Sequence, residues 1–505
     1  MKIERAKNAG RNIFYGIILK LYQIIIPFFM RTAIIYFMGI QYLGLNSLFT
    51  SILQVLNLAE LGVGSAMVFS MYKPIAEDDA SKICMMMKLY KTYYFIIGMV
   101  VAVIGFIIMP FLPYIIKNDA PKEINIYFLY LLNLASTVLS YWMFAYKNSL
   151  LQAHQRIDVI NKVTIVTNTI QYLMQFIIIW LTKNYYLFVF STLVVQILNN
   201  IIIAVVVSKL YPNYKAKGRL ANDEIRQINQ KIKDLFTAKL GSVVVGAVDT
   251  IVISAFLGLK ILAVYQNYYF IVNAICGFIN MIFSAVIAGI GNSLVTESME
   301  KNYNDLKKFT FIISWILCIC CCCFLGLFQP FMKIWVGKEL ILPYGFVIVF
   351  VILFYVLELA MVWATIKDAA GLWHADRFRP LAGALTNVIL NIILVQIIGL
   401  YGIMLSTVIS YVFVSMPWLI YNLFRLLYKS GMKKYLVSLF LYFINTIISC
   451  IIVYVCCDAI HVYGVIEILL KAVVCICIPN VVQLLLLGKT EEFREALKLV
   501  RAMRH

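Results

Sequence analysis

Long apolar runs alternate with short polar segments along the whole chain, and this pattern predicts its architecture. A helix needs about 20 predominantly apolar residues to cross the roughly 30 Å of hydrocarbon in a bilayer. Fourteen runs reach this length, and we expect an all-α integral membrane protein with about 14 transmembrane helices, forming two six-helix lobes plus two C-terminal helices. The runs lie at 13–37, 45–70, 93–116, 125–148, 163–182, 185–207, 239–257, 262–290, 309–330, 344–366, 381–399, 401–424, 437–457 and 464–487.

Basic residues are distributed unequally between the two sets of loops. The two terminal tails and the loops after even-numbered spans hold 32 Lys and Arg, whereas the loops after odd-numbered spans hold 6 and the spans themselves hold 5. Cytoplasmic loops of membrane proteins carry an excess of these residues. We therefore predict a multi-pass protein of the plasma membrane with both termini in the cytoplasm.

Composition agrees with this class and excludes others. The chain has 505 residues, of which 63% are hydrophobic and 13% charged, against about 25% charged in soluble proteins. The net charge of +19 follows from the basic cytoplasmic loops, so no nucleic-acid partner is expected. Most of the 12 cysteines lie in apolar runs, where they are expected to pack as small apolar side chains.

An internal repeat divides the chain into two halves. Phe37-Met38-Gly39, followed by IQYLGL, aligns without a gap with Phe256-Leu257-Gly258, followed by LKILAV, at an offset of 219 residues. Repeated halves are typical of transporters, which bind substrate where the halves meet. We predict an N-terminal lobe at 1–208, a cytoplasmic amphipathic linker at 209–238, a C-terminal lobe at 239–430, two extra helices at 431–487 and a cytoplasmic amphipathic tail at 488–505.

Two cations lie inside the first apolar run. Lys20 and Arg31 are eleven residues apart, which is about three helical turns, so they share one helix face. A charge near the bilayer centre costs at least about 2.5 kcal/mol. A shared cationic face inside a membrane bundle indicates a cavity that receives an anion, and the alternative is an ion pair with Glu60 that only holds helices 1 and 2 together.

Further polar residues are spaced so that they line single faces of other spans. For the amides, the alternative to substrate binding is a hydrogen bond between helices. For the two acidic residues, a proton or cation site and a counter-charge to Arg31 both stay open. The candidate cavity residues are Glu60 and Asn57 in span 2, Gln171 and Gln175 in span 5, Lys239 in span 7, Asn273 and Asn280 in span 8 and Asn387 in span 11, and the ion-coupling candidates are Asp249 and Glu358. Glu467 and Lys471 are spaced i, i+4 in span 14 and are expected to neutralise each other.

Enzymatic chemistry finds no support in the sequence. The four histidines are scattered through loops and ends, and there is no phosphate-binding lysine loop, nucleophile elbow or metal-ligand pair. The acidic run Glu77-Asp78-Asp79 lies in a short loop and is expected to be solvated. We expect no catalytic residue, no metal and no cofactor.

Three segments near the N-terminus resemble the polysaccharide-transport flippases of the multidrug/oligosaccharidyl-lipid/polysaccharide (MOP) exporter superfamily. They are Pro27-Phe28-Phe29-Met30-Arg31-Thr32, Tyr42-Leu43-Gly44-Leu45, and Leu58-Ala59-Glu60-Leu61-Gly62-Val63-Gly64-Ser65-Ala66 with Tyr72-Lys73-Pro74. The resemblance implies two six-helix lobes in a V that move a polyprenyl-pyrophosphate-linked oligosaccharide across the plasma membrane by alternating access. It also implies that Arg31 is the cavity cation with Glu60 as its acidic neighbour, and that the last two helices form a groove for the polyprenyl tail.

Three other functions are alternatives for a membrane protein of this kind. A multidrug exporter of the same superfamily predicts an acidic, aromatic cavity, against which Lys20 and Arg31 argue. A polysaccharide polymerase needs a long outer loop with catalytic residues, which the sequence lacks. A membrane scaffold leaves the cations unexplained. The expected partners of the flippase, a monomer, are its lipid-linked oligosaccharide, membrane lipids, and a polymerase and glycosyltransferases.

Overall fold

The computed structural model describes residues 5–117 and 119–502, and within them the chain is helical without a strand. In these ranges 12 helices are long and apolar enough to cross a membrane, or up to 13 if the pair Ile126–Trp142 and Ala145–Ala153, bent by 48°, is one span. The predicted span at 239–257 corresponds to the shorter apolar stretch Val243–Leu257. The prediction of an all-α membrane fold is confirmed, and the predicted number of 14 spans is approximate.

The chain divides into two compact units, Met1–Ala263 and Val264–His505. The lobe and linker boundaries drawn from the sequence stay predictions. The helices of the first unit are α1 (Arg5–Phe37), α2 (Ile40–Leu56), α3 (Val63–Ala76), α4 (Ala80–Ile108), α5 (Leu112–Ile116), α6 (Ile126–Trp142), α7 (Asn148–Ala153), α8 (Ile157–Thr182), α9 (Tyr185–Leu210) and α10 (Asn222–Leu257).

The second unit begins inside α11 (Leu259–Thr296). Its other helices are α12 (Met299–Trp335), α13 (Tyr344–Ala369), α14 (Trp373–Asp376), α15 (Arg379–Ile398), α16 (Leu400–Ser410), α17 (Met416–Asn422), α18 (Met432–Asp458), α19 (Val465–Leu487) and α20 (Glu491–Ala502), and short π-helical turns at Tyr411–Ser415 and Leu423–Tyr428 join α16, α17 and the end of that span.

The repeated turns that the sequence predicted have the same backbone conformation. Gly39 has φ 110° and Gly258 has φ 92°, a region that glycine adopts without a side-chain clash. Asp119 joins both turns: one carboxylate oxygen accepts from the Gln41 side chain at 3.0 Å, and the other accepts from the backbone of Leu259 at 2.8 Å. The turns are therefore tied together at one end of the first unit.

The amphipathic linker is continuous with the span that follows it, because α10 runs from Asn222 to Leu257 without a break. Its first turns pack on α3 and α4: Tyr93 donates to Asn229 at 2.6 Å, and the Lys231 ammonium lies 4.7 Å from the centre of the Phe69 ring. The linker is thus a packed part of the first unit rather than a separate surface helix.

The amphipathic tail helix α20 also packs on its neighbours. Phe493 stacks on Trp315 of α12 with ring centres 5.7 Å apart, and Glu492 pairs with Lys307 at 2.7 Å. In α19 the predicted pair Glu467–Lys471 forms at 2.8 Å, which confirms that prediction. The buried thiols Cys318, Cys322, Cys457 and Cys475 pack around Val453, as expected for small apolar side chains.

Candidate functional site

The second predicted span is broken in the middle, and the break builds a polar site in the first unit. Helix α2 ends at Leu56, a 3₁₀ turn covers Asn57–Glu60, and α3 begins at Val63. Gly62 lies between them with φ 89°, in the left-handed region where a side chain is strained. The family-like segment that the sequence singled out is therefore a kink, and its polar residues leave the regular helix there.

The kink lies directly on the backbone of α10. A Cβ atom at Gly62 would lie 2.9 Å from the carbonyl oxygen of Ile232 and 2.8 Å from the Cβ of Leu235. No side chain fits in that space without displacing α10, so packing and backbone conformation both require glycine at this position.

Three tyrosines hold the polar residues of the break. Tyr94 donates to one oxygen of Glu60 at 2.5 Å. The single hydroxyl hydrogen of Tyr141 is shared between the other oxygen of Glu60 at 3.0 Å and Asn57 Oδ1 at 2.9 Å. Tyr90 donates to the Tyr94 hydroxyl at 2.7 Å. Hydrogen bonds to a charged acceptor contribute about 1.5–3 kcal/mol each, so this network fixes the orientation of the carboxylate.

A cavity of about 250 Å³ opens on the break. Its polar walls come from the 3₁₀ turn and the flanking helix ends, and one apolar wall comes from α10. The lining residues are Gln54, Asn57, Glu60, Leu61, Gly62, Gly64, Ser65 and Val243. Of the predicted cavity residues, Asn57 and Glu60 are thus brought together at one open site.

The two cations predicted to meet an anion lie on α1. The helix is continuous from Arg5 to Phe37, and Lys20 and Arg31 are both half-buried on it. α1 packs along α8, where the Tyr22 hydroxyl bonds the Thr169 hydroxyl at 2.9 Å. The carboxylate of Glu60 accepts hydrogen bonds from Tyr94 and Tyr141, and both the anion cavity and the ion pair between helices 1 and 2 stay predictions.

Several predicted amides bond neighbouring helices. Gln175 is buried and donates to Thr192 of α9 at 2.9 Å, and Gln171 reaches the same hydroxyl at 3.5 Å. Asn387 is fully buried and donates to Thr407 of α16 at 2.8 Å. For these amides, the alternative to substrate binding is a hydrogen bond between helices, and the contacts to Thr192 and Thr407 are of that kind.

The remaining predicted cavity residues are not gathered in one place by any described contact. Asn273 is exposed and Asn280 is half-buried, two turns apart on α11. Within the described part of the chain, Asn280 Oδ1 is buried without a hydrogen-bond partner. Lys239 falls in α10, but its side chain lies outside the described residues.

The two ion-coupling candidates differ in their surroundings. Glu358 on α13 is buried, accepts a hydrogen bond from the Cys276 thiol, and has one oxygen without a partner in the described parts of the chain. Asp249 on α10 is half-buried. The structure holds them on different helices and leaves both as candidates.

The second unit contains an apolar groove of about 560 Å³ between α12, α13 and α18. Its walls are mostly aliphatic and aromatic side chains, with two cysteine thiols, three tyrosines and one threonine hydroxyl. They are Cys321, Leu325, Tyr344, Ile348, Val351, Ile352, Tyr355, Val356, Phe443, Thr446, Ile447, Cys450, Ile451 and Tyr454. α18 is the first of the two extra helices, so the groove uses part of the segment that the family resemblance assigned to a lipid tail.

The tyrosines around Glu60 were missed by the sequence analysis. Tyr90 and Tyr94 are spaced i, i+4 in α4, and Tyr141 lies near the end of α6. The spacing of Tyr90 and Tyr94 was visible in the sequence. Nothing in it indicated that Tyr141, from another helix, would meet the same carboxylate.

Comparison with known proteins identifies the family of this chain. A family model described as polysaccharide biosynthesis protein matches residues 9–288, which is more than half of the 505-residue chain. No curated protein matches the chain in sequence.

Solved structures share the fold at low sequence identity. The lipid II flippase MurJ in an inward closed conformation matches with a TM-score of 0.72 and 16% identity, covering 94% of this chain and 98% of that one. A MATE transporter of Vibrio cholerae matches with a TM-score of 0.56 and 14% identity over 84% of this chain and 99% of that one. A MOP superfamily transporter from Pyrococcus furiosus gives 0.53 and 11% over 82% and 95%. The predicted all-α fold is confirmed, and the chain shares it with these MurJ, MATE and MOP superfamily structures.

Proposed function

We propose that this chain, which belongs to the polysaccharide biosynthesis protein family, is a flippase that moves a polyprenyl-pyrophosphate-linked oligosaccharide across the plasma membrane by alternating access. The family name supports a role in glycan assembly. One solved structure of similar fold is the lipid II flippase MurJ, which supports transport of a lipid-linked substrate.

The observation that carries the proposal is the pair of half-buried cations on α1. A pyrophosphate head group cannot cross hydrocarbon unaided, since burying an unpaired charge is costly. Arg31 presents a planar fork of donors that matches phosphate oxygens, and Lys20 adds a point charge about 16 Å along the same helix. We propose that they mark the path of the phosphates, with Lys20 nearer the cytoplasm.

The other parts of the substrate require different surfaces. We propose that the apolar groove of the second unit receives the polyprenyl tail, because its aliphatic and aromatic walls offer the tail an apolar surface. The exposed and half-buried polar positions, including Asn273 and Gln171, are proposed to contact the glycan as it passes. Lys239 stays a candidate on its position in α10, and Asp249 and Glu358 stay the candidates for ion coupling.

The biological setting of the proposal follows from its substrate. Glycosyltransferases supply the lipid-linked unit on the cytoplasmic side and a polymerase consumes it outside, with a monomeric flippase between them. The proposed orientation has both termini in the cytoplasm, which rests on the excess of Lys and Arg in alternate loops. A periplasm-active reporter fused after Lys217 is expected to stay inactive, and strong activity there would overturn the orientation.

Replacing the cations tests the transport proposal directly. We expect Arg31→Ala to reduce export of surface polysaccharide by at least about tenfold, because loss of a charge-assisted hydrogen bond costs about 1.5–3 kcal/mol. Lipid-linked glycan should accumulate on the inner leaflet of the same cells. Lys183→Ala, in the loop between α8 and α9, is the control and should export normally. Full export by a Lys20→Ala, Arg31→Ala double variant that is inserted at normal levels would refute the proposal.

A multidrug exporter of the same superfamily is the second candidate, favoured by the acidic, tyrosine-lined break around Glu60. Such a cavity suits an organic cation. The candidate predicts that Glu60→Gln abolishes efflux of a cationic dye while Arg31→Ala does not. Lack of dye efflux by the wild-type protein in vesicles would remove it.

A further inference from the structure

We propose that the cavity at the break between α2 and α3 is a saccharide subsite that takes one neutral or amino sugar of the transported glycan and disfavours uronic acids. This inference rests on the proposed function, since it names the part of the glycan that the first unit recognises. Its size supports a single ring. The cavity holds about 250 Å³, below the roughly 300 Å³ at which pockets for drug-sized ligands begin.

The polar groups of the break provide hydrogen-bonding capacity for such a ring. A carboxylate offers about four acceptor positions, and the described contacts of Glu60 use two of them, for Tyr94 and Tyr141. Asn57 Oδ1 lies beside them, because Tyr141 donates to both residues. Sugar hydroxyls are donors as well as acceptors, so neighbouring hydroxyls on a ring can bond these two side chains together.

Donors are also available at the cavity. Gln54 is exposed where it lines the wall, and an amide side chain carries two N–H donors and one acceptor. A ligand with both donors and acceptors on a small ring matches this mixture. A long alkyl chain does not, because it would leave Glu60 and Asn57 covered without new hydrogen bonds.

The carboxylate supplies the selectivity. A sugar hydroxyl or ammonium group donates to Glu60, whereas a uronic acid brings a second carboxylate, and two like charges at hydrogen-bonding distance repel. The site is also rigid, because Gly62 packs on α10 and the tyrosines hold the carboxylate. A rigid site does not lose free energy by ordering itself around the ligand.

Saturation-transfer NMR on the purified full-length protein tests the inference without any lipid. The probes are free N-acetylglucosamine, glucosamine and glucuronic acid. We expect the first two to bind wild-type protein and glucuronic acid to bind about tenfold more weakly, with Gln54→Leu weakening N-acetylglucosamine by a similar factor through loss of its hydrogen bonds. Gln396→Leu, an exposed glutamine of α15 outside the cavity, is the matched control and should bind as the wild type does.

A second variant tests the charge of Glu60 separately from the hydrogen bonds of Gln54. Glu60→Gln keeps an acceptor for one of the two tyrosines and removes the charge, so discrimination against glucuronic acid should disappear. The inference is overturned if the wild-type protein does not bind N-acetylglucosamine, if it prefers glucuronic acid, or if both variants bind every probe as the wild type does. Arg31→Ala separates the two proposals: sugar binding should persist while export is lost. If the Arg31→Ala variant still exports polysaccharide, that result contradicts the proposed flippase function and not the saccharide subsite.

Discussion

The cavity of the first unit is lined by Gln54, Asn57 and Glu60, whereas the groove of the second unit is lined almost entirely by aliphatic and aromatic side chains. The internal repeat shows where the two halves, which have similar sequence patterns, begin to differ. Span 2 and α11 follow equivalent glycine turns at Gly39 and Gly258. Beyond these turns the two helices differ, because span 2 breaks at its centre and α11 is continuous from Leu259 to Thr296.

The offset of the repeat shows which residues cause this difference. At 219 residues, Gly62 corresponds to Met281 and Glu60 corresponds to Ile279. Met281 and Ile279 are compatible with a regular helix, whereas the positive φ of Gly62 is not. Gly62 therefore permits the backbone conformation of the break, and the second unit has neither this glycine nor a glutamate at the equivalent positions. The two halves therefore share the glycine turn, but only the first has the polar site that follows it.

The largest expected effect comes from closing the break with a side chain. Gly62→Ala should lower the free energy of unfolding by about 2–5 kcal/mol, because left-handed strain costs about 1–2 kcal/mol and forced overpacking about 1–3 kcal/mol. Thermal unfolding in detergent measures it. Gly246→Ala in α10 is the matched control, since a Cβ there meets nothing within 4 Å, and it should be neutral or stabilising. Equal losses in both variants would contradict the tight packing of the kink.

Removing one donor from Glu60 should have the next largest effect. Tyr94→Phe is expected to cost about 1.5–3 kcal/mol, the range for a hydrogen bond to a charged group. Tyr93→Phe removes a hydroxyl from the neighbouring residue of the same helix, where it bonds Asn229, and should cost about 0.5–1.5 kcal/mol. Chemical denaturation of both variants gives the comparison. A smaller loss for Tyr94→Phe than for Tyr93→Phe would show that the carboxylate does not depend on its tyrosines.

Filling the apolar groove should affect transport rather than stability. Ile447→Trp places a large ring in the groove and is expected to slow flipping of a long-chain polyprenyl substrate about tenfold, equivalent to about 1.4 kcal/mol, while a short-chain analogue is affected less. Leu441→Trp is the control, because Leu441 is exposed on the same helix and does not line the groove. Equal slowing of both substrates by Ile447→Trp would show that the groove does not bind the lipid tail.

The smallest expected effect comes from giving α11 the glycine of span 2. Met281→Gly should unfold about 1 kcal/mol more easily than Met281→Ala, the difference in helix propensity between the two residues. The pair of variants removes the same side chain, so their difference reports the backbone alone. A difference of several kcal/mol would mean that α11 depends on residue 281 far more than helix propensity allows.

Local patterns were sufficient for much of the fold. Apolar runs of membrane length gave the helices, the Phe-Met-Gly and Phe-Leu-Gly segments gave the repeated turn, and the spacing of Glu467 and Lys471 gave their ion pair. The bend between α6 and α7 and the packing of α20 on α12 were not predicted. Both depend on contacts between segments distant in sequence, which no local pattern reports.

The same division holds for the candidate site. The sequence by itself determined that Glu60 is unusual inside a span, because a charge is expensive in hydrocarbon. Only the tertiary structure decided what Glu60 and Gly62 do. It brought Tyr94 and Tyr141 from two other helices to one carboxylate and placed the backbone of α10 against the glycine. Hydrogen bonds and close packing act over a few ångströms, so the partners of a residue are set by the folded chain and not by its neighbours in sequence.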